Sequence, residues 1–115
     1  MRLDDVRYVK LEIFVPETHL GALQDALRSV DAGHIGRYDS CLAWSRVMGT
    51  WRALDGASPY IGREGEVSEE PELKVEVTIS AERLDETMTA ILRAHPYEEP
   101  VVNALPLIAT GRGRS

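Results

Sequence analysis

Hydrophobic and polar positions alternate cleanly in two stretches. In "YVKLEIFV", Val9, Leu11, Ile13 and Val15 fall on one side, while Tyr8, Lys10, Glu12 and Phe14 fall on the other. A period of two is the signature of a strand with one apolar face. "LKVEVTIS" repeats the pattern with Leu73, Val75, Val77 and Ile79. Between them Leu20, Leu23, Leu27 and Val30 recur at helical spacing, which predicts a helix over about 17–29 opened by Pro16 or Thr18. After the second alternation, Leu84, Met88, Ile91, Leu92 and His95 form the stripe of a second helix. Ser80 is its expected cap, Glu82 suits its positive end, and Pro96 disfavours helical geometry at His95 and so ends it.

The remaining segments are less regular. "DAGHIG" reads as a turn, bracketed by Gly33 and Gly36. "YDSCLAWSRVMGTWRAL" is rich in aromatic and branched residues and is interrupted by Gly49 and Thr50, which predicts a hairpin of strands 38–47 and 50–55. "DGASPYIGREGEVSEEPE" reads as a long loop, and "PVVNALPL" as an edge strand because Pro106 cannot donate to a ladder. The order strand, helix, strand, strand, helix, strand is that of an α+β, ferredoxin-like β-α-β-β-α-β sandwich. Its antiparallel sheet would have four strands, with a short fifth, and both helices on one face. Residues 1–107 are expected to form this single domain, and 108–115 a flexible tail. The other sheet face would carry Tyr8, Lys10, Glu12, Phe14, Glu76 and Thr78, bulk that a second subunit would partly cover.

Composition narrows the function. The chain has 115 residues and a net charge of −6, which argues against nucleic acid as partner. No apolar run reaches the roughly 18 residues of a membrane span, and the charged start lacks the apolar core of a secretory signal. Cys41 is the only cysteine and forms no internal disulfide, in keeping with a cytoplasmic location.

Four groups of residues invite a chemical reading. His95, Tyr97, Glu98 and Glu99 lie in "AHPYEEP". Imidazole and carboxylate suit zinc or copper; alternatively two prolines stiffen a turn in which Tyr97 packs and the His95 ring caps the last helix carbonyls. Tyr38, Asp39 and Cys41 place a thiol beside an acid, yet a single cysteine in a strand more often packs as a small hydrophobe. In the glycine-rich loop, Arg52 and Arg63 could meet phosphate, but Glu64, Glu66, Glu69 and Glu70 oppose an anion and no phosphate-binding glycine motif is present. Trp44 and Trp51 could stack a ligand or pack across a hairpin or a subunit boundary.

"GHIGRYDSCLAW", "GTWRALDGASPYIG" and "AHPYEEPVVNALPL" together resemble the small domain inserted in the YqfO branch of the Nif-three-like dinuclear-metal proteins, here as a stand-alone chain. "HPYEEP" also looks like a turn of the CutA cation-tolerance proteins. The resemblance covers about residues 10–107. It implies a CutA/PII-like fold and a homo-oligomer, commonly a trimer, and it implies that the metal ligands of the larger domain lie outside this segment. The expected function is a non-enzymatic, trimeric ligand-binding, sensing or interaction module for a small ligand or protein partner. The alternatives are a divalent-cation protein binding copper or zinc through His95, Glu98 and Cys41, and a metal-dependent hydrolase.

Overall fold

The computed structural model describes residues 2–111, 113 and 114, with backbone alone for Leu3, Gly113 and Arg114. Strand β1 spans Tyr8–Val15, and its side chains alternate between half-buried and buried, as the period of two requires. A single 3-10 turn, Glu17–His19, leads into helix α1, Leu20–Ser29. Neither Thr18 nor Ser80 caps a helix through its side chain. Thr18 Oγ1 instead meets His19 Nδ1 at 2.9 Å, and Ala81 N–H donates to the Arg7 carbonyl.

Strands β2, Ala43–Arg52, and β3, Val67–Ser80, form one long antiparallel hairpin. This corrects the expected hairpin at Gly49-Thr50. Those residues pair with Glu70 and Glu69, so the strand runs straight through them and the true connection is the 53–66 loop. Helix α2, Leu84–Ala94, follows, then β4, Val102–Pro106, at the sheet edge. The four-stranded sheet has the order β2-β3-β1-β4, all antiparallel. Beyond it, β5, Ala109–Thr110, pairs with β6, Gly113–Arg114. The flexible tail expected over 108–115 thus begins in this small ladder, while residues 112 and 115 lie outside the described residues.

The core sits between the sheet and the two helices. Val9, Leu11, Ile13 and Val15 of β1 and Leu73, Val75, Val77 and Ile79 of β3 meet Leu23 and Leu27 of α1 and Ile91 of α2. Burying each such side chain stabilises the fold by roughly 1.5–3 kcal/mol. The α2 stripe is rotated from the expected one. Thr87 and Ile91 are its buried members, whereas Leu92, one residue or about 100° further round the helix, is 50 % exposed.

The opposite sheet face is polar and open. Glu12 and Glu76 stand directly across from each other on β1 and β3. Their repulsion is offset diagonally by Lys10, which pairs with Glu76, and by Lys74, 3.3 Å from Glu12. Each lysine thus answers the carboxylate on the other strand. The crossing from α1 to β2 depends on Gly33, whose φ of +80° places its N–H against the Thr78 carbonyl. A Cβ there would lie 2.6 Å from the Cys41 carbonyl oxygen, so only glycine fits.

Candidate functional site

β3 is 14 residues long, but its pairing with β1 ends at Leu73 opposite Val15. Residues 67–72 therefore run past the sheet with only β2 beside them. Pro71 lies in this overshoot, beyond the register with β1. At its base a cavity of about 700 Å³ opens on the polar sheet face. Strand parity explains which side chains reach it: Phe14, Trp51, Glu72 and Val101 all project from that face. The loop 53–66 forms one wall and the turn "HPYEEP" another.

The turn is fixed by His95. Its ring is only 7 % exposed, with Nε2 2.6 Å from the Phe14 carbonyl oxygen of β1. Nδ1 accepts the Tyr97 backbone N–H at 3.2 Å, so Nε2 carries the proton and donates to Phe14. Burial holds the imidazole below its ordinary value, and His19 adds to this, against the Phe14 carbonyl and the Glu72 carboxylate, which pull it upward. The sequence reading of a ring capping the carbonyls at the end of α2 is thus corrected: His95 is a neutral bracket that ties the turn to β1. It leaves the helix because Pro96 forces it into extended geometry, with ψ of 131°.

Tyr97 is the hub of an aromatic cluster. Its ring centroid lies 4.9 Å from His95, 5.9 Å from Trp51 and 6.0 Å from Tyr60, and Tyr60 meets His19 edge-on at 5.7 Å. The Tyr97 hydroxyl is buried and has no hydrogen-bond partner among the described residues. Burial, and then the Glu72 carboxylate acting from outside hydrogen-bond geometry, push its pKa strongly upward. Two bonds fasten the loop to this cluster. Trp51 Nε1–H donates to the Ile61 carbonyl at 3.1 Å, and the Ser58 N–H donates to Glu98 at 2.9 Å. Glu72 is only 8 % exposed and folds over Gly49, occupying the space where any other residue would have a Cβ.

The residues singled out from sequence therefore separate. His95 braces the cavity, while Tyr97, Glu98 and Glu99 line it. Tyr38 is 74 % exposed in the crossing loop, where it bridges Ile35. Asp39 accepts a bond from Ser40, and Cys41 lies against the Asp39 carbonyl. Cys41 lines a second, shallower depression with Lys10 and Glu76, so the set His95, Glu98 and Cys41 is not assembled around one point within this chain. Among the described residues no group of three His, Cys, Asp or Glu side chains is placed to hold a metal ion. Trp44 and Trp51 lie on one strand, an odd number of residues apart, and so on opposite faces; Trp51 joins the cavity and Trp44 does not. Arg52 lines the cavity and Arg63 does not. Sequence reasoning does not single out Glu72 or Tyr60 for chemistry. Glu72 sits in an acidic run, and only the β2–β3 register places it over Gly49.

No family model matches the chain. It is 37 % identical over 102 residues to a GTP cyclohydrolase 1 type 2 homolog of Halalkalibacterium halodurans, covering 89 % of this chain and 27 % of the relative. It is 41 % identical over 111 residues to the one from Mycobacterium tuberculosis, covering 91 % and 29 %. The chain thus spans little more than a quarter of the length of these relatives. Among solved structures, a Bacillus cereus protein related to NIF3 superposes with a TM-score of 0.77 at 32 % identity, over 89 % of this chain and 26 % of that one. The periplasmic divalent cation tolerance protein CutA of Archaeoglobus fulgidus gives 0.66 at 15 %, covering 90 % and 86 %. Bacillus subtilis GlnK gives 0.62 at 18 %, covering 90 % and 88 %. These last two show the fold alone. No helix among the described residues is long and apolar enough to cross a membrane.

Proposed function

Because the chain matches a segment of the NIF3-related GTP cyclohydrolase 1 type 2 homologs and carries the CutA and PII fold, we propose that it is a non-enzymatic, trimeric, cytoplasmic module that binds a small ligand in the loop-covered cavity. The observation that carries this reading is the cavity itself. About 700 Å³ is the size of a small-molecule site, and its walls combine aromatic rings with a few polar groups. Its titratable groups suit binding better than catalysis. Both nitrogens of His95 are engaged by backbone, and the Tyr97 hydroxyl is held protonated. The trimer is supported by the open sheet face and by half-exposed Trp44, bulk that a neighbouring subunit would cover.

A divalent cation is the second occupant to consider, since Glu72, Glu98, Glu99 and Asp55 line the cavity and the fold is that of a protein called a divalent cation tolerance protein. Against it, His95 would have to surrender a backbone bond to become a ligand. Melting curves in the presence of amines, carboxylates, nucleotides, zinc and copper test the reading, with Tyr97→Ala as the control. A stabilising compound whose effect disappears in Tyr97→Ala supports it, and no shift with any class counts against it. Tight copper or zinc binding lost in His95→Gln would replace it with the cation reading. Sedimentation as a monomer at micromolar protein would remove the trimer.

A further inference from the structure

The cavity is unbalanced in charge. Asp55, Glu72, Glu98 and Glu99 line it against Arg52 alone. Such a wall repels phosphate and carboxylate ligands and attracts cations. Glu72 is the most telling of the four. It is more than nine-tenths buried, it faces the cavity, and it forms no ion pair among the described residues. A buried carboxylate without a cationic partner is costly, and the Tyr97 hydroxyl that acts on it is a neutral donor. That hydroxyl has no other partner among the described residues, and the His95 proton is spent on the Phe14 carbonyl. The carboxylate thus faces the cavity with a neutral phenol but no cation beside it. Around them stand Trp51, Tyr60 and Tyr97, with centroids about 6 Å apart. Aromatic faces carry negative potential and hold organic cations better than they hold anions.

We infer that the ligand is a small organic cation, an amine or quaternary ammonium group on an apolar body, seated among Trp51, Tyr60 and Tyr97 with its charge toward Glu72. The inference rests on the cavity being a ligand site, as proposed above. An ammonium group supplies the positive charge that Glu72 lacks, and the apolar body fills volume that a bare metal ion would leave empty. A free small molecule fits better than a peptide side chain, because the Ser58–Glu98 bond closes the loop onto the turn across one side of the cavity.

Isothermal titration of the purified chain with three probes of matched size tests this: 2-phenylethylammonium, 2-phenylethanol and 3-phenylpropionate. The cation is expected to bind at least about tenfold more tightly than the alcohol, and the carboxylate not to bind. Glu72→Gln, nearly isosteric, should erase the preference for the cation while leaving the alcohol unchanged. The comparison among probes in the wild type stands even if the variant folds poorly. Alcohol and cation binding equally, or cation binding unaltered in Glu72→Gln, would overturn the charge assignment yet leave a ligand cavity. Failure of all three probes at millimolar concentration would overturn both readings.

Discussion

Removing the imidazole of His95 should destabilise the protein far more than its place in a turn suggests. In His95→Ala two bonds disappear, one to the Phe14 carbonyl and one from the Tyr97 N–H. Each formed bond contributes about 1 kcal/mol net, and a carbonyl left buried without a donor costs about 1–3 kcal/mol. The sum is on the order of 3 kcal/mol, before the loss of ring packing against Tyr97. His95→Gln retains a donor that can reach Phe14 and should cost about 1 kcal/mol. Urea unfolding at fixed protein concentration reads the difference. With a slope of about 1–2 kcal/mol/M, the midpoint should fall by roughly 1.5–3 M for alanine. The pH dependence provides a second check. The folded pKa lies below the ordinary 6.5, so the unfolded chain takes up the proton first. This stability is fully present above pH 6.5 and declines as pH falls toward the folded value. His95→Gln should flatten that decline. A loss below about 0.5 kcal/mol for alanine, with an unchanged acid slope, would refute the bracket.

His34 should behave in the opposite sense. Asp31, then the Gly36 carbonyl, raise its pKa above 6.5, so its contribution is full below that pH and fades as pH rises through the folded value; His34→Asn should flatten the alkaline limb of a stability–pH curve. Thr87 Oγ1 is buried without a partner among the described residues, so Thr87→Val should raise stability by about 1 kcal/mol in thermal or urea melts. Leu11 is fully buried, and Leu11→Asp should cost on the order of 3–5 kcal/mol and leave little folded protein by circular dichroism. Gly49→Ala puts a methyl group where the Glu72 carboxylate lies; the melting point should change little, whereas binding of 2-phenylethylammonium should be lost in titration.

The two central strands were legible because each carries four apolar residues in strict alternation, and nothing competes with that period. β2 was misread for the opposite reason. It is an exposed edge strand whose burial signal is weak, so Gly49-Thr50 looked like a turn when it was only a gap left for Glu72. The proline-framed turn was legible as a helix stop and as a place where Tyr97 packs. Its place in a cavity wall was not, because the other half of the cavity comes from a loop some forty residues earlier, joined through Ser58 and Glu98. The role of His95 also depended on a partner far away in sequence, the backbone of Phe14, which no local pattern announces. The place of Glu72 in the cavity wall depends on register: shifting it by one residue would turn its carboxylate to the other face.

The overshoot of β3 makes the hairpin a cantilever. From Leu73 to Glu76 the strand is clamped by ladders on both edges, and from Val67 to Glu72 by β2 alone. Bending stiffness must drop at that step, and the step falls at Glu72, against the wall of the cavity. Amide exchange along β3 should therefore show two regimes, slow inward of Leu73 and faster outward. A molecule wedged at that fulcrum would stiffen the joint and would reach the far end of the arm as a change in angle and amplitude, with the clamped sheet unmoved.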